Sequence, residues 1–323
     1  NWQNFNVGAG HGVQFRQVQN LDTNALVQGA SFTTLNRIWD INPSVIAGTL
    51  SQATGQRANV ILVNSNGIAF MGGSQVNLNS FTASTLNIAD KFILNGLLGD
   101  PLSPQFEKAL DGGEARGRIE VMEGARISAT SQGRVMLIAP DVVNRGTVEA
   151  PDGQVILAAG TRAYLRADDS ADLNLRGLLV EVDSAASGPG AATNFGELSA
   201  ARGNVTMVGY AVNQMGRASA TSSVVANGSV YLMAKDTSVA PTNNTPRNSA
   251  RAGQVTLGQG SVTEVLVDRS DTATTVDSRD DQGNFVTGNA AASQVRVLGQ
   301  QVHMARGATI HAPSGDVKIV AVD

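Results

Sequence analysis

A chain of 323 residues with 35 Gly, 15% charged and only 4% aromatic residues is not composed like a helical enzyme, and its 42% apolar content excludes disorder over most of its length. The 23 basic residues against 27 acidic ones give a net charge of -4 with no basic stripe, which argues against nucleic acid or an anionic membrane as partner. Cysteine is absent, so thiol catalysis, Cys-ligated zinc and disulfides are excluded together. No apolar run approaches the ~20 residues of a membrane helix, and Asn1 to Phe5 carry neither the basic nor the apolar region of an export signal.

In chain order, the first turns fall at Asn42-Pro43, where proline pre-sets φ, and at Asn66-Gly67, which tolerates the left-handed region. Residues 87 to 96 predict a short helix with Asn87 as N-cap and Gly96 as C-cap; with the proline-punctuated stretch that follows, residues 86–116 read as an insertion. From residue 117 a repeat takes over: a small residue, a variable one, an apolar one, a variable one, an apolar one. It runs through Gly117 to Val121, Gly133 to Leu137, Gly153 to Leu157, Gly203 to Met207, Gly228 to Leu232, Gly253 to Leu257, Ser293 to Val297 and Gly315 to Ile319. This period-2 alternation predicts strands with one face inward. A second unit, Gly-x-apolar-x-Ala, alternates with it and ends at Ala129, Ala150, Ala200 and Ala220. Residues 234–252 and 268–289 read as polar loops.

One full coil takes about twenty residues, too few for a βαβ unit of ~30 residues. The expectation is an all-β, right-handed parallel β-helix with extra-helical insertions, a rod of roughly 60 Å at ~4.8 Å per coil. Val135, Leu137, Val155 and Leu157 are expected in interior columns, and the four alanines where the coil narrows. Glycines are expected at corners for their access to positive φ. Asn144 and Asn194 are expected to bond local backbone at turns. Two outward columns are expected, one from Arg118 through Arg134, Gln154 and Asn204 to Asp316, the other from Glu120 through Met136, Ile156, Thr206 and Tyr231 to Lys318; Gln154→Asp should then be nearly silent.

Family-specific motifs crowd the N-terminal third. Trp2-Gln3-Asn4-Phe5-Asn6-Val7-Gly8, Val13-Gln14-Phe15, Asn36-Arg37-Ile38, Ile41-Asn42-Pro43-Ser44-Val45-Ile46-Ala47-Gly48 and Ala58 to Ile68 resemble the two-partner secretion domain of filamentous-haemagglutinin-like exoproteins. Phe81 to Leu86 is similar to the segment that precedes the family's extra-helical element. Two departures stand out. Asn64-Ser65-Asn66-Gly67 replaces the family's Asn-Pro-Asn-Gly, and the residues that family members carry before the Trp2 motif are expected to have been trimmed or processed away. Restoring proline at Ser65 should be neutral or mildly stabilising.

The resemblance implies residues 1–220 as the secretion domain and 221–323 as a continuing shaft. It implies a Gram-negative exoprotein that crosses the periplasm and reaches the cell surface or medium, acting in adhesion, haemagglutination, toxin delivery or biofilm. The implied partner is the periplasmic (POTRA) domains of a cognate TpsB outer-membrane β-barrel transporter, with a host carbohydrate or protein receptor beyond it and the chain itself monomeric. The residues carried over as secretion motif or transporter recognition are Asn42, Pro43, Asn64, Asn66 and Gly67. If they form a docking epitope, Asn64→Asp should fold and yet escape capture; if they only hold turns, export loss should track stability loss.

A polysaccharide lyase or hydrolase on the same scaffold is the alternative. Such catalysis needs paired carboxylates in one cleft, and neither outward column accumulates them, so no enzyme is expected. His11, His303 and His311 are far apart in sequence; the spacing allows His303 and His311 to share a coil, but zinc wants a third ligand. Asp168 to Asn174 and Asp268 to Asp281 lack the glycine and terminal glutamate of a calcium loop. No cofactor and no metal are expected.

Overall fold

The computed structural model describes residues 1–19, 22, 24–98, 100, 103–167, 178–183, 190–223, 227–235, 238–239, 248–249, 252–270, 293–313 and 315–321. Alternating apolar residues produce three short strands per coil, as in Asp141–Asn144, Thr147–Glu149 and Gln154–Ala159. Successive coils stack them into three parallel sheets of nine, eight and nine strands. The sheet that begins at Ser31–Ile38 and includes Gln154–Ala159 is called here the covered sheet; that of Asp141–Asn144 is the middle sheet and that of Thr147–Glu149 the third. The chain is therefore a parallel β-helix, as the repeat predicts.

Pairing in the covered sheet is in register from coil to coil. Val135, Val155, Val205, Val230, Val295 and Val317 form one column, and Leu137, Leu157, Met207, Leu232, Val297 and Ile319 the next. Both are inaccessible to solvent as far as Val295 and Val297. In a stack, each β-branched side chain meets its own kind at the strand spacing, which suits a pleated surface. Ala129, Ala150, Ala200 and Ala220 are buried in the same core.

Several expectations change. The repeats at Gly117 and Gly253 belong to the middle sheet, where Arg118 faces Asp141 and Gln254 faces Ala211 and Gln301, so the outward residues do not form single columns. The expected outer face of the covered sheet is moreover largely buried: Gln154, Ile156, Thr206 and Tyr231 are all under 4% exposed. A four-stranded antiparallel sheet lies over it, built of Leu178–Asp183, Arg162–Ala167, Phe106–Glu107 and Asn87–Ile88. Its Ile88, Phe106, Leu165, Val180 and Val182 pack with Met136, Ile156, Val208 and Tyr231 into a second hydrophobic core. The alternation that looked polar-out was read on strands whose two faces are both inside. Gln154 donates from Nε2 to the Leu178 carbonyl at 2.8 Å and accepts from Leu178 N at 2.9 Å, so it fastens this cover rather than facing water.

Gly124, Gly253 and Gly307 have the positive φ expected of corners, at 80°, 77° and 79°, but other repeat glycines act differently. At Gly133, Gly153 and Gly203 the positive φ sits one residue earlier, on Gln132 (67°), Asp152 (54°) and Arg202 (53°). Each glycine is instead the point where backbone passes backbone: a Cβ on Gly153 would lie 1.8 Å from the Gly133 carbonyl oxygen, and one on Gly203 2.2 Å from that of Gly153. The helix is Asp90–Leu94 with Ala89 at its N-cap and Asn95 at its C-cap, while Asn87 belongs to a strand of the cover. Nine strands at ~4.8 Å make a stack of about 40 Å, shorter than expected because Arg162–Ala167 and Leu178–Asp183 also leave the coil to build the cover. Asp168 to Asn174 and most of 268–289 fall outside the described residues; in 234–252 a short antiparallel pair joins Ser238–Val239 to Asn248–Ser249.

Three substitutions test this account by chemical denaturation. Gly153→Ala, blocked by backbone, should cost ~3 kcal/mol or more, whereas Gly73→Ala, at φ 86° in open space, should cost ~1–2 kcal/mol. The reverse order would mean that conformational freedom, not close approach, selects the corner glycines. Gln154→Asp should cost about 1–3 kcal/mol through a carboxylate that cannot donate to Leu178.

Candidate functional site

Asn42, Pro43, Asn64, Asn66 and Gly67 come from two successive coils and meet at one corner, where Ser31–Ile38 and Arg57–Asn64 of the covered sheet turn into Ser44–Ile46 and Ile68–Phe70 of the middle sheet. Asn64 is wholly buried. Its Nδ2 donates to the Asn42 carbonyl at 3.1 Å and to Ser44 Oγ at 3.0 Å, and its Oδ1 accepts from Asn66 N at 3.0 Å. Asn66 in turn donates from Nδ2 to the Asp40 carbonyl at 2.6 Å. Asp40 Oδ1 accepts from Asn42 N at 3.0 Å and Asn42 Nδ2 at 3.1 Å. One buried amide thus links the two turns, and an exposed carboxylate shapes the upper one.

Gly67 has φ 123°, and an added Cβ would stand 3.1 Å from the Arg118 carbonyl oxygen and 3.4 Å from Pro43 Cβ. Its N–H donates to the Asn64 carbonyl, and its own carbonyl accepts from Ser44 N at 3.0 Å. A left-handed residue packed against proline leaves room for glycine alone.

The insertion returns to this same corner. Leu110 N donates to Ser65 Oγ at 2.7 Å and Arg116 Nε to Asn66 Oδ1 at 3.2 Å. Arg116 also pairs with Asp111 at 2.7 Å, and that hydrogen bond holds the Asp111 carboxyl below its ordinary range. Ser65, which stands where the family has proline, therefore has a bonded role in this chain, and Ser65→Pro is expected to be costly rather than neutral.

The five residues divide by accessibility. Asn42 and Pro43 are exposed, Asn66 is half-buried, and Asn64 and Gly67 are buried. The surface around them is apolar: Ile41 is 86% exposed, Trp39 53% and Val45 41%. Trp39 N donates to the Trp2 carbonyl at 2.8 Å, and Trp2 Nε1 donates to Asn36 Oδ1 at 3.0 Å with its ring edge-on to Phe5. Sequence reasoning missed Asp40, Ser44 and Ser65 as partners and Ile41, Trp39 and Val45 as surface. The one legible signal was an aspartate two residues before Asn42, the spacing of an Asx-turn.

Elsewhere on the shaft, Glu149 is paired with Arg126 at 2.6 Å and Glu264 with Arg217. His303 and His311 lie on one coil, and among the described residues no group of three or more His, Asp or Glu is placed to hold a metal. Asp168 to Asn174 and residues 271–281 are outside the described residues.

A β-helical shaft with one covered face and a cross-braced corner on its first coils defines a non-globular, stacked module rather than a cleft. A family model for the TPS secretion domain matches residues 1–257, and the chain belongs to that family. The crystal structure of the HMW1 secretion domain from Haemophilus influenzae is similar in fold, with a TM-score of 0.60 and 20% identity over 98% of this chain and 80% of that one. Among curated proteins none matches this chain. Membership implies export by two-partner secretion.

Asn64→Asp should lose ~2–3 kcal/mol, because both Nδ2 donations vanish and a carboxylate is buried against a carbonyl. Ser65→Pro should lose ~1 kcal/mol with the Leu110 hydrogen bond. Thermal melts of the two variants beside wild type check both values.

Proposed function

We propose that this chain is the N-terminal export module of a surface or secreted exoprotein of a Gram-negative cell, and that periplasmic POTRA domains of a TpsB transporter bind it at the first-coil corner. The single observation that supports the site is an apolar surface, Trp39, Ile41 and Val45, held out by the hydrogen-bonded frame of Asp40, Asn42, Asn64 and Asn66. Exposed apolar side chains on a rigid frame lose little entropy on docking, which favours recognition. In this reading Ile41, Asn42 and Pro43 touch the transporter, whereas Asn64, Asn66 and Gly67 act by fixing the shape they are presented in.

Residues 1–220 carry the export function in this proposal, and 221–323 extend the shaft toward adhesion or haemagglutination. The three sheets run on through this boundary without a break in pairing, and the family match itself reaches residue 257. Nothing in the described carboxylate arrangement favours the lyase or hydrolase alternative, and the module is proposed to be non-catalytic.

The test measures melting temperature and capture by immobilised POTRA domains on the same variants. Ile41→Ser and Trp39→Ser should melt close to wild type, as exposed substitutions usually do, and lose capture at least tenfold. Gly67→Val should lose both together. Full capture of a folded Ile41→Ser, Trp39→Ser double variant would refute the site, and absence of capture of wild type would refute the partner.

A further inference from the structure

Beneath the helix Asp90–Leu94 and the turn that follows it, the covered sheet is left open over a cavity of about 590 Å³. One wall is apolar and includes Phe92 and Leu97; the other is the outer face of the sheet, with Arg57, Asn59, Asn79 and Arg134. Among the described residues that line it there is no Asp or Glu. A smaller hollow of about 270 Å³ shares Leu98, Gln132 and Arg134 with it and is also bordered by Asp152, which is already paired with Arg202.

Arg134 is the anomaly. It is half-buried, and burial pulls its guanidinium below the ordinary arginine value. Among the described residues no carboxylate pairs with it and its side chain makes no hydrogen bond. Other partly buried arginines are treated differently: Arg37 bonds Asp90 at 2.7 Å and the Ile88 carbonyl at 2.6 Å, and Arg202 bridges Asp152 at 2.6 Å and Asp268. A partly buried guanidinium that faces the cavity with no carboxylate bonded to it is free to take an anionic group.

The rest of the polar wall is preorganised. Arg57 Nε donates to Asn79 Oδ1 at 2.9 Å, and Asn79 Nδ2 donates to Asn59 Oδ1 at 2.7 Å. That leaves the Asn59 amide hydrogens directed to no described partner. Two guanidinium groups, an amide donor and an apolar wall facing them match a molecule with a carboxylate, hydroxyls and an apolar face. We propose that this cavity binds the carboxylate-bearing unit of an acidic sugar, its carboxylate on Arg134, its hydroxyls toward Asn59 and Arg57, and its apolar face against Leu97 and Phe92. The site is separate from the transporter corner and does not depend on that reading.

The probe is D-galacturonate titrated into the full chain by calorimetry, with D-galactose and acetate as controls. Wild type should bind galacturonate at least tenfold more tightly than either control. Arg134→Gln should lose that binding at least tenfold while melting no lower than wild type, since it removes an uncompensated cation. Leu97→Asp, which sets a carboxylate opposite Arg134, should lose it too. Failure of wild type to bind galacturonate, equal binding of acetate, or full binding by folded Arg134→Gln would overturn the proposal.

Discussion

Coils about 4.8 Å apart must turn their corners without side chains colliding with the coil below, and this constraint governs the molecule. At Gly133, Gly153 and Gly203 the backbone of one coil runs so close to the carbonyl of the previous one that a single methyl would overlap it. The tight corner fixes where each strand of the covered sheet begins, and identical starting points give identical register. Register in turn stacks valine on valine from Val135 to Val317 and keeps the neighbouring column, Leu137, Leu157, Met207, Leu232 and Val297, apolar throughout. Because side-chain direction alternates with period 2, a one-residue slip at any corner would turn that column outward.

The glycine spacing and the alternation exposed the shaft to sequence reading, since a solenoid repeats its own instructions. The cover was only half legible. Residues 86–116 broke the repeat and could be set aside as an insertion, but Arg162–Ala167 and Leu178–Asp183 look like two more alternating strands and carry no mark of running antiparallel outside the coil. Their effect was to bury Ile156, Thr206 and Tyr231, positions whose outward direction was read correctly and whose environment was not. The middle-sheet strand was read at Arg118–Val121 and Gln254–Leu257 but missed on coils such as those of Asp141–Asn144 and Ala211–Gln214, where a single inward apolar residue is too short a pattern to stand out.

At the corner of the first coils, the motif residues were found through likeness to a family, while the division of labour among them came from burial. Asn64 and Gly67 are inside and structural; Asn42 and Pro43 are outside. An amide that reaches between turns 22 residues apart leaves no periodic trace, and neither does a serine that receives a bond from an insertion 45 residues later. Such partners are fixed by three-dimensional closure of the coil, which sequence spacing alone does not encode. The buried ion pair of Lys235 with Glu181 at 2.5 Å, which clamps the cover to the end of strand Ser229–Ala234, is legible only in the same way.

Inside the middle sheet, Asn144 donates to Asn194 at 2.8 Å and Asn194 to Gln214 at 2.7 Å, while Gln214 donates on to the Val262 carbonyl at 3.0 Å. Asn144 and Gln214 also engage backbone next to their own turns, at Gly146 and Gly216, as the sequence suggested for Asn144, whereas Asn194, of which the same was expected, bonds the Arg217 carbonyl of the following coil. Every step in this ladder points toward the C-terminus, so a coil that has just formed presents an amide whose acceptor lies on the coil still to come. The advancing end of the stack is then a template with one polar vacancy, which an aligned following coil satisfies and a slipped one does not. Growth of the solenoid along its own chain direction is thereby made directional and self-correcting, coil by coil, with no need for the distal chain to be present when the first coils close.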